Sequence, residues 1–157
     1  MKVLSAMKQI ESFAVALVAA TLVAPAFAAD GLIATKSPYS AEETMTRLED
    51  TVKARGLNVF ARVDHAAGAA KVGKTLRPTE VLIFGNAQGG TPLMECAQSM
   101  GIDLPLKALV WEDAAAQVWV AYNDPVYLAK RHAAGNCAAV DTVSKALAGV
   151  MSAVVAK

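Results

Sequence analysis

The stretch "LKALVWEDAAAQVWVAYN", residues 106–123, decides the fold. Two runs rich in β-branched and aromatic residues flank a short acidic and alanine turn, so residues 106–113 and 117–123 read as the arms of a β-hairpin. With the turn centred on Ala115, Trp111 falls opposite Trp119 and Val110 opposite Val120. Successive side chains of a strand point to opposite faces. Val110, Val118 and Val120 therefore share one face, and Leu109, Trp111, Trp119 and Ala121 share the other. Both faces are apolar, yet helices can cover only one. Leaving two tryptophans and a leucine in water would forgo several kcal/mol at ~25 cal/mol per Å². The second face is expected to meet a ligand, a protein or a second copy of the chain, and a homodimer is the commonest solution. Lys107 shares the face of Leu109 and Trp111 and is placed to rim a pocket or an interface.

Outward from the hairpin the chain alternates strands and helices. Residues 31–37 form a short strand. Ser40 and Glu43 mark a capping box that opens a helix carrying Met45, Leu48 and Val52 on one face, and Gly56 ends it. In "LNVFARV", Leu57, Val59, Ala61 and Val63 alternate with Asn58, Phe60 and Arg62, as in a half-buried strand. Residues 66–72 suit one or two helical turns, and residues 79–84 an apolar strand. Beyond it a glycine loop leads to Thr91-Pro92, which reads as the cap and first position of a helix with Leu93, Ala97 and Met100 buried and Gly101 as its end. After the hairpin, Asp124-Pro125 opens a short helix closed by Lys130, Arg131 and His132. Asn136 is placed to cap a last helix whose stripe is Val140, Val143, Leu147, Val150 and Val154. The order β-α-β-β-(α)-β-β-α predicts a two-layer α+β domain. Its largely antiparallel sheet of four to five strands is covered on one face by helices.

The N-terminal residues read differently. Lys2 and Lys8 precede an apolar run of residues 13–23, and Ala26-Phe27-Ala28 supplies a small-residue cleavage pattern. This is the pattern of a secretory signal peptide, residues 1–28, cut after Ala28, and its style suggests a bacterial periplasm. Residues 29–157 then make one domain. Removing the signal takes Lys2, Lys8 and Glu11 from the 15 basic and 14 acidic residues, which leaves equal numbers of each sign. A neutral mature chain excludes a nucleic-acid footprint or a polybasic membrane patch. No second long apolar span follows, so a soluble product is expected.

Few residues could carry chemistry. The loop of Gly85, Gly89 and Gly90 has phosphate-loop spacing, but Thr91 and Pro92 stand where a P-loop has Lys and Ser or Thr. Gly89-Gly90 is better read as a tight corner with positive φ. Cys96 and Cys137 make an even count in an oxidising compartment and are candidates for a disulfide. Unpaired structural cysteines, or a reactive Cys137 with His132 as base, remain open. Asp64-His65 and Arg131-His132 contain the two histidines, a candidate polar site of His132, Asp64 and His65. No histidine pair has helix-ligand spacing, so no metal is expected. Glu112-Asp113 is most simply a solvated turn. Ser37, Ser99, Ser144 and Ser152 lie in no nucleophile-elbow motif.

The pieces "VDHAAGAAKVG", "RPTEVLIFGN", "GTPLM", "GIDLPLKALVWED" and "VWVAYNDPVYLAKRH", in this order and spacing, resemble a bacterial family known as domain of unknown function 302. The resemblance runs from Tyr39 to about Leu147. It implies a compact α+β domain related in shape to the TATA-binding-protein fold, a tendency to dimerise, and no established catalytic residues. The namesake of that fold binds DNA, but fold does not carry function. Neutral charge and the export signal argue against DNA here. Ala114-Ala115-Ala116 departs from the family pattern, where a glycine is usual in the turn, and Cys96 and Cys137 do not look like family-wide positions. The expectation is a non-enzymatic periplasmic dimer that needs no cofactor and binds a small molecule or a periplasmic protein. A small thiol, redox or metal-handling protein using Cys137, Cys96 and His132 is the alternative.

Overall fold

A computed structural model describes residues 29–157; the signal peptide read in residues 1–28 lies outside them. Five strands, β1 (Leu32–Ser37), β2 (Asn58–Asp64), β3 (Thr79–Gly85), β4 (Leu106–Glu112) and β5 (Val118–Asn123), form one antiparallel sheet in the order β1-β5-β4-β3-β2. The hairpin register is the expected one: Trp111 pairs with Trp119 and Val110 with Val120. Helices α1 (Ala41–Ala54) and α5 (Ala138–Val155) lie on one face of the sheet. The remaining helices are α2 (His65–Lys71), α3 (Ala87–Cys96) and α4 (Pro125–Arg131), with a 3-10 turn at Gln98–Ile102. The architecture is two-layer α+β.

The core sits between sheet and helices. Leu82, Phe84, Ala108, Val110, Val118, Val120 and Tyr122 from the strands meet Met45, Leu48 and Val52 of α1 and the valine-leucine stripe of α5. Each such side chain contributes about 1.5–3 kcal/mol on burial, so the two apolar helix faces are the main reason the layers adhere. Ser40 accepts from the Glu43 N–H at 3.1 Å and starts α1, and Gly56, at φ +72°, lets the chain turn out of it.

Two arginines, Arg47 within α1 and Arg55 as its C-cap, grip α5. Arg47 Nε donates to the Val154 carbonyl at 2.7 Å, and its NH2 donates to that of Ala156 at 2.7 Å. Arg55 NH2 donates to the Gly149 carbonyl at 3.0 Å. The last carbonyls of a helix have no partner within it, so the Arg47 cation at Val154 and Ala156 meets both a hydrogen-bonding need and the helix dipole, whereas Arg55 reaches a carbonyl further up the helix.

Three local expectations are corrected. Helix α3 begins at Ala87, four residues before Thr91; Asn86 is its cap and accepts from the Gly89 N–H at 2.8 Å. Gly89 and Gly90 are therefore helical rather than a positive-φ corner, Pro92 lies inside the helix, and the chain passes into the 3-10 turn before Met100. In β2 a bulge between Val59 and Ala61 breaks the alternation. Val59 pairs with Phe84 on the helix side, whereas Ala61 pairs with Ile83 on the other. The cap of α5 is Cys137, without a side-chain bond, instead of Asn136.

Candidate functional site

Cys96 and Cys137 are joined as a disulfide, with Cα atoms 5.8 Å apart. The bridge ties the C-terminus of α3 to the cap of α5. Beside it the structure brings together residues that the sequence keeps apart. His132 is the C-cap of α4, and its ring is not spent on a helix carbonyl. Nε2 lies 2.6 Å from Asp103 Oδ2, and Nδ1 lies 2.9 Å from Ser99 Oγ. Arg131 NH1 holds the other Asp103 oxygen at 3.0 Å. Asp64 and His65 are elsewhere: Asp64 caps α2 by accepting from the Ala67 N–H at 2.8 Å, and His65 is exposed on the first turn of that helix. Among the described residues no three His, Cys, Asp or Glu side chains gather as metal ligands.

A cleft of about 680 Å³ opens between α3, α5 and the end of the sheet. Leu57, Leu93, Leu104, Leu106, Val143 and Leu147 give it an aliphatic wall, and Phe60, pushed outward at the β2 bulge, stands at its side. Gly85, Gly89 and Gly90 line it as well. Arg55 is the one charged residue of this lining among the described residues. Its hydrogen bond to the Gly149 carbonyl holds the guanidinium beside α5; a Cβ at Gly149 would come within 3.0 Å of Arg55 NH1.

The predicted sheet face is where the hairpin placed it. Leu109, Trp111, Trp119 and Lys107 are half-buried on the side away from α1 and α5. The tryptophan rings stack with centroids 6.2 Å apart, and Lys36 Nζ lies 5.3 Å from the centre of the Trp119 ring. Lys107 Nζ donates to the Asp103 and Pro105 carbonyls, both at 2.9 Å, so its charge is turned toward the loop before β4. Asp113 organises the turn: it accepts from the Ala115 and Gln117 N–H groups and, at 2.8 Å, from Trp119 Nε1. These bonds, the indole N–H foremost, hold its carboxyl below the ordinary aspartate range. A carboxylate read from sequence as a solvated turn residue is thus the peg on which the hairpin bends.

Sequence reasoning missed Arg55, Ser99 and Asp103 as site residues: Arg55 is a cation beside the helix-ending Gly56, and nothing in the spacing of Ser99, Asp103 and His132 announces that they meet.

The family described as "Domain of unknown function DUF302" matches residues 33–154, and the chain belongs to that family. A crystal structure of an uncharacterised DUF302 protein from Bacillus stearothermophilus superposes with a TM-score of 0.71 at 19% identity, over 80% of this chain and 98% of the other. At that identity the likeness establishes the fold. Among curated proteins, 105 residues of the chain are 50% identical to proteins named "Fluoride-specific ion channel FluC 1" from Brucella suis and "Fluoride-specific ion channel FluC 2" from Brucella melitensis. The match takes in 67% of this chain but only 41% and 39% of those relatives, respectively.

Proposed function

We propose that this member of the family is an exported binding protein, whose cleft takes a small apolar molecule with an anionic head group and whose bare sheet face joins a second copy. The observation that carries the first part is the pairing of an aliphatic cleft with a single lining cation, Arg55, fixed against α5. Small-molecule sites are typically about 300–1,000 Å³, mostly apolar, with a few polar groups that set orientation. A medium-chain aliphatic carboxylate answers that description: its chain displaces water from the leucine wall and its head group meets the guanidinium.

The test uses octanoate and octanol. Titrated octanoate should shift amide resonances of the cleft residues, and octanol should bind more weakly. Arg55→Gln should weaken octanoate by about tenfold, the ~1.4 kcal/mol of one exposed charge-assisted contact, and leave octanol unchanged. Shifts confined to residues outside the cleft would reject the reading.

Export rests on the signal pattern of residues 1–28, and the Cys96–Cys137 bridge suits an oxidising compartment. N-terminal sequencing of the protein recovered from its own cell envelope should begin at Ala29. Self-association rests on the half-buried Leu109, Trp111 and Trp119. Sedimentation at micromolar concentration should give a dimer, and a strict monomer rejects it. The thiol alternative loses its resting thiolate with both cysteines bonded. Fluoride transport belongs to the named relatives. Here α5, long and apolar, is a core helix with Val143, Leu147, Val150 and Val154 buried.

A further inference from the structure

Outside the cleft lining, Ser99, His132 and Asp103 stand in a line. The side chains of His132 and Asp103 are only 8% and 13% exposed, whereas Ser99 is open to solvent. A carboxylate only accepts hydrogen bonds, so the imidazole proton sits on Nε2, facing Asp103 at 2.6 Å. That fixes the tautomer and leaves Nδ1 with a lone pair. The Ser99 hydroxyl, 2.9 Å away, is then the donor, and an Oγ lone pair is left facing water. Nucleophile, base and orienting carboxylate in hydrogen-bond sequence is the arrangement that activates a serine, whatever the chain order.

The surroundings hold the line in place. Arg131 fixes Asp103 from the far side at 3.0 Å. Met100, next to Ser99, is buried and anchors the 3-10 turn. The disulfide joins Cys96, three residues before Ser99, to Cys137, five residues after His132, so the two segments that carry nucleophile and base are covalently stapled. A histidine serving only to cap α4 would point its ring at the last helix carbonyls. This ring points at a carboxylate and a hydroxyl.

We propose that Ser99 is a nucleophile, with His132 as its general base and Asp103 as the positioning residue, and that it accepts an acyl group from small carboxylic esters. Ser99 Oγ attacks the ester carbonyl carbon while its proton passes to His132 Nδ1. The carbonyl-to-alkoxy bond breaks, and the alcohol leaves with that proton. Water then attacks the acyl-serine, giving its proton to the same nitrogen; the carboxylic acid departs and the serine is restored. This activity does not depend on the cleft reading, and failure of octanoate to bind would leave it intact.

The purified protein, disulfide intact, is treated with a fluorophosphonate and with p-nitrophenyl acetate. One fluorophosphonate adduct per chain should map to Ser99 by peptide mass spectrometry and be absent from Ser99→Ala. His132→Asn should slow labelling by about 10²–10⁴-fold, the usual contribution of a general base. Asp103→Asn, which keeps a hydrogen-bonding group but no longer dictates the tautomer, should slow it by at least ~10²-fold. In the unaltered protein the labelling rate should reach a plateau in its pH profile, as attack assisted by a general base requires and direct attack driven by hydroxide does not. No adduct at Ser99, equal labelling in His132→Asn, or a rate that climbs with hydroxide without a plateau each overturns the proposal. The pH profile needs no variant, so it decides the matter even if a substitution prevents folding.

Discussion

Replacing Cys96 and Cys137 together by alanine removes a cross-link between residues 41 apart in sequence. In the chain-entropy account, a closed loop of that length lowers the freedom of the unfolded chain by an amount worth about 4 kcal/mol at 25 °C. Cys137 is buried and Cys96 is exposed, so the void left by the lost sulfur is confined to one side and adds little. Against a total stability of roughly 5–15 kcal/mol, the loss is large. Urea unfolding followed by far-ultraviolet circular dichroism measures it. With a slope of about 1.5–2 kcal/mol per molar urea, the midpoint should fall by about 2–3 M. Thiol titration of the denatured, unreduced protein should meanwhile find no free thiol. Two free thiols there, or a stability loss under ~1 kcal/mol, would refute the bridge or the loop argument built on it.

Arg47→Ala removes three charge-assisted hydrogen bonds to the C-terminal carbonyls of α5, and should cost about 1.5–3 kcal/mol in the same urea assay with faster amide exchange in the last turn of that helix. Gly31→Ala drives a Cβ into the Tyr127 ring at a φ of +79°, so the melting temperature should drop and the Tyr127 resonances should shift. The carboxyl of Asp113 is held below the ordinary aspartate value of about 3.9, so its contribution to the hairpin turn is complete above that value and is lost as pH falls through the depressed one. An acid titration of the Trp119 indole N–H resonance should show this below about pH 4, and Asp113→Asn should abolish the titration.

The hairpin was legible because a period-two pattern and a short turn fix register locally: once the turn is centred on Ala115, Trp111 can only face Trp119. The α5 stripe was legible for the same kind of reason, at a period of 3.6. The start of α3 was not, because two capping signals compete within six residues and the side chain of Asn86 wins over Thr91-Pro92. Nor was the bulge at β2, where the sheet's pairing overrides an alternation that looked regular. For the cysteines, the even count pointed to a bridge but could not bring the two segments within bonding distance. Ser99, Asp103 and His132 come from a 3-10 turn, the loop after it and the end of α4, and only the packing of those segments makes them neighbours.

The two tryptophans of this chain are its only ones, and they are stacked on one side of one hairpin. In a protein with scattered indoles, a change in fluorescence has no address. Here both emitters sit on the uncovered side of β4 and β5, with a lysine ammonium over one ring and a carboxylate on its N–H. The protein therefore carries an optical reporter wired to a single surface. Any molecule or second copy that settles on that surface will alter the emission, while one that enters the aliphatic cleft behind α3 should leave it nearly silent.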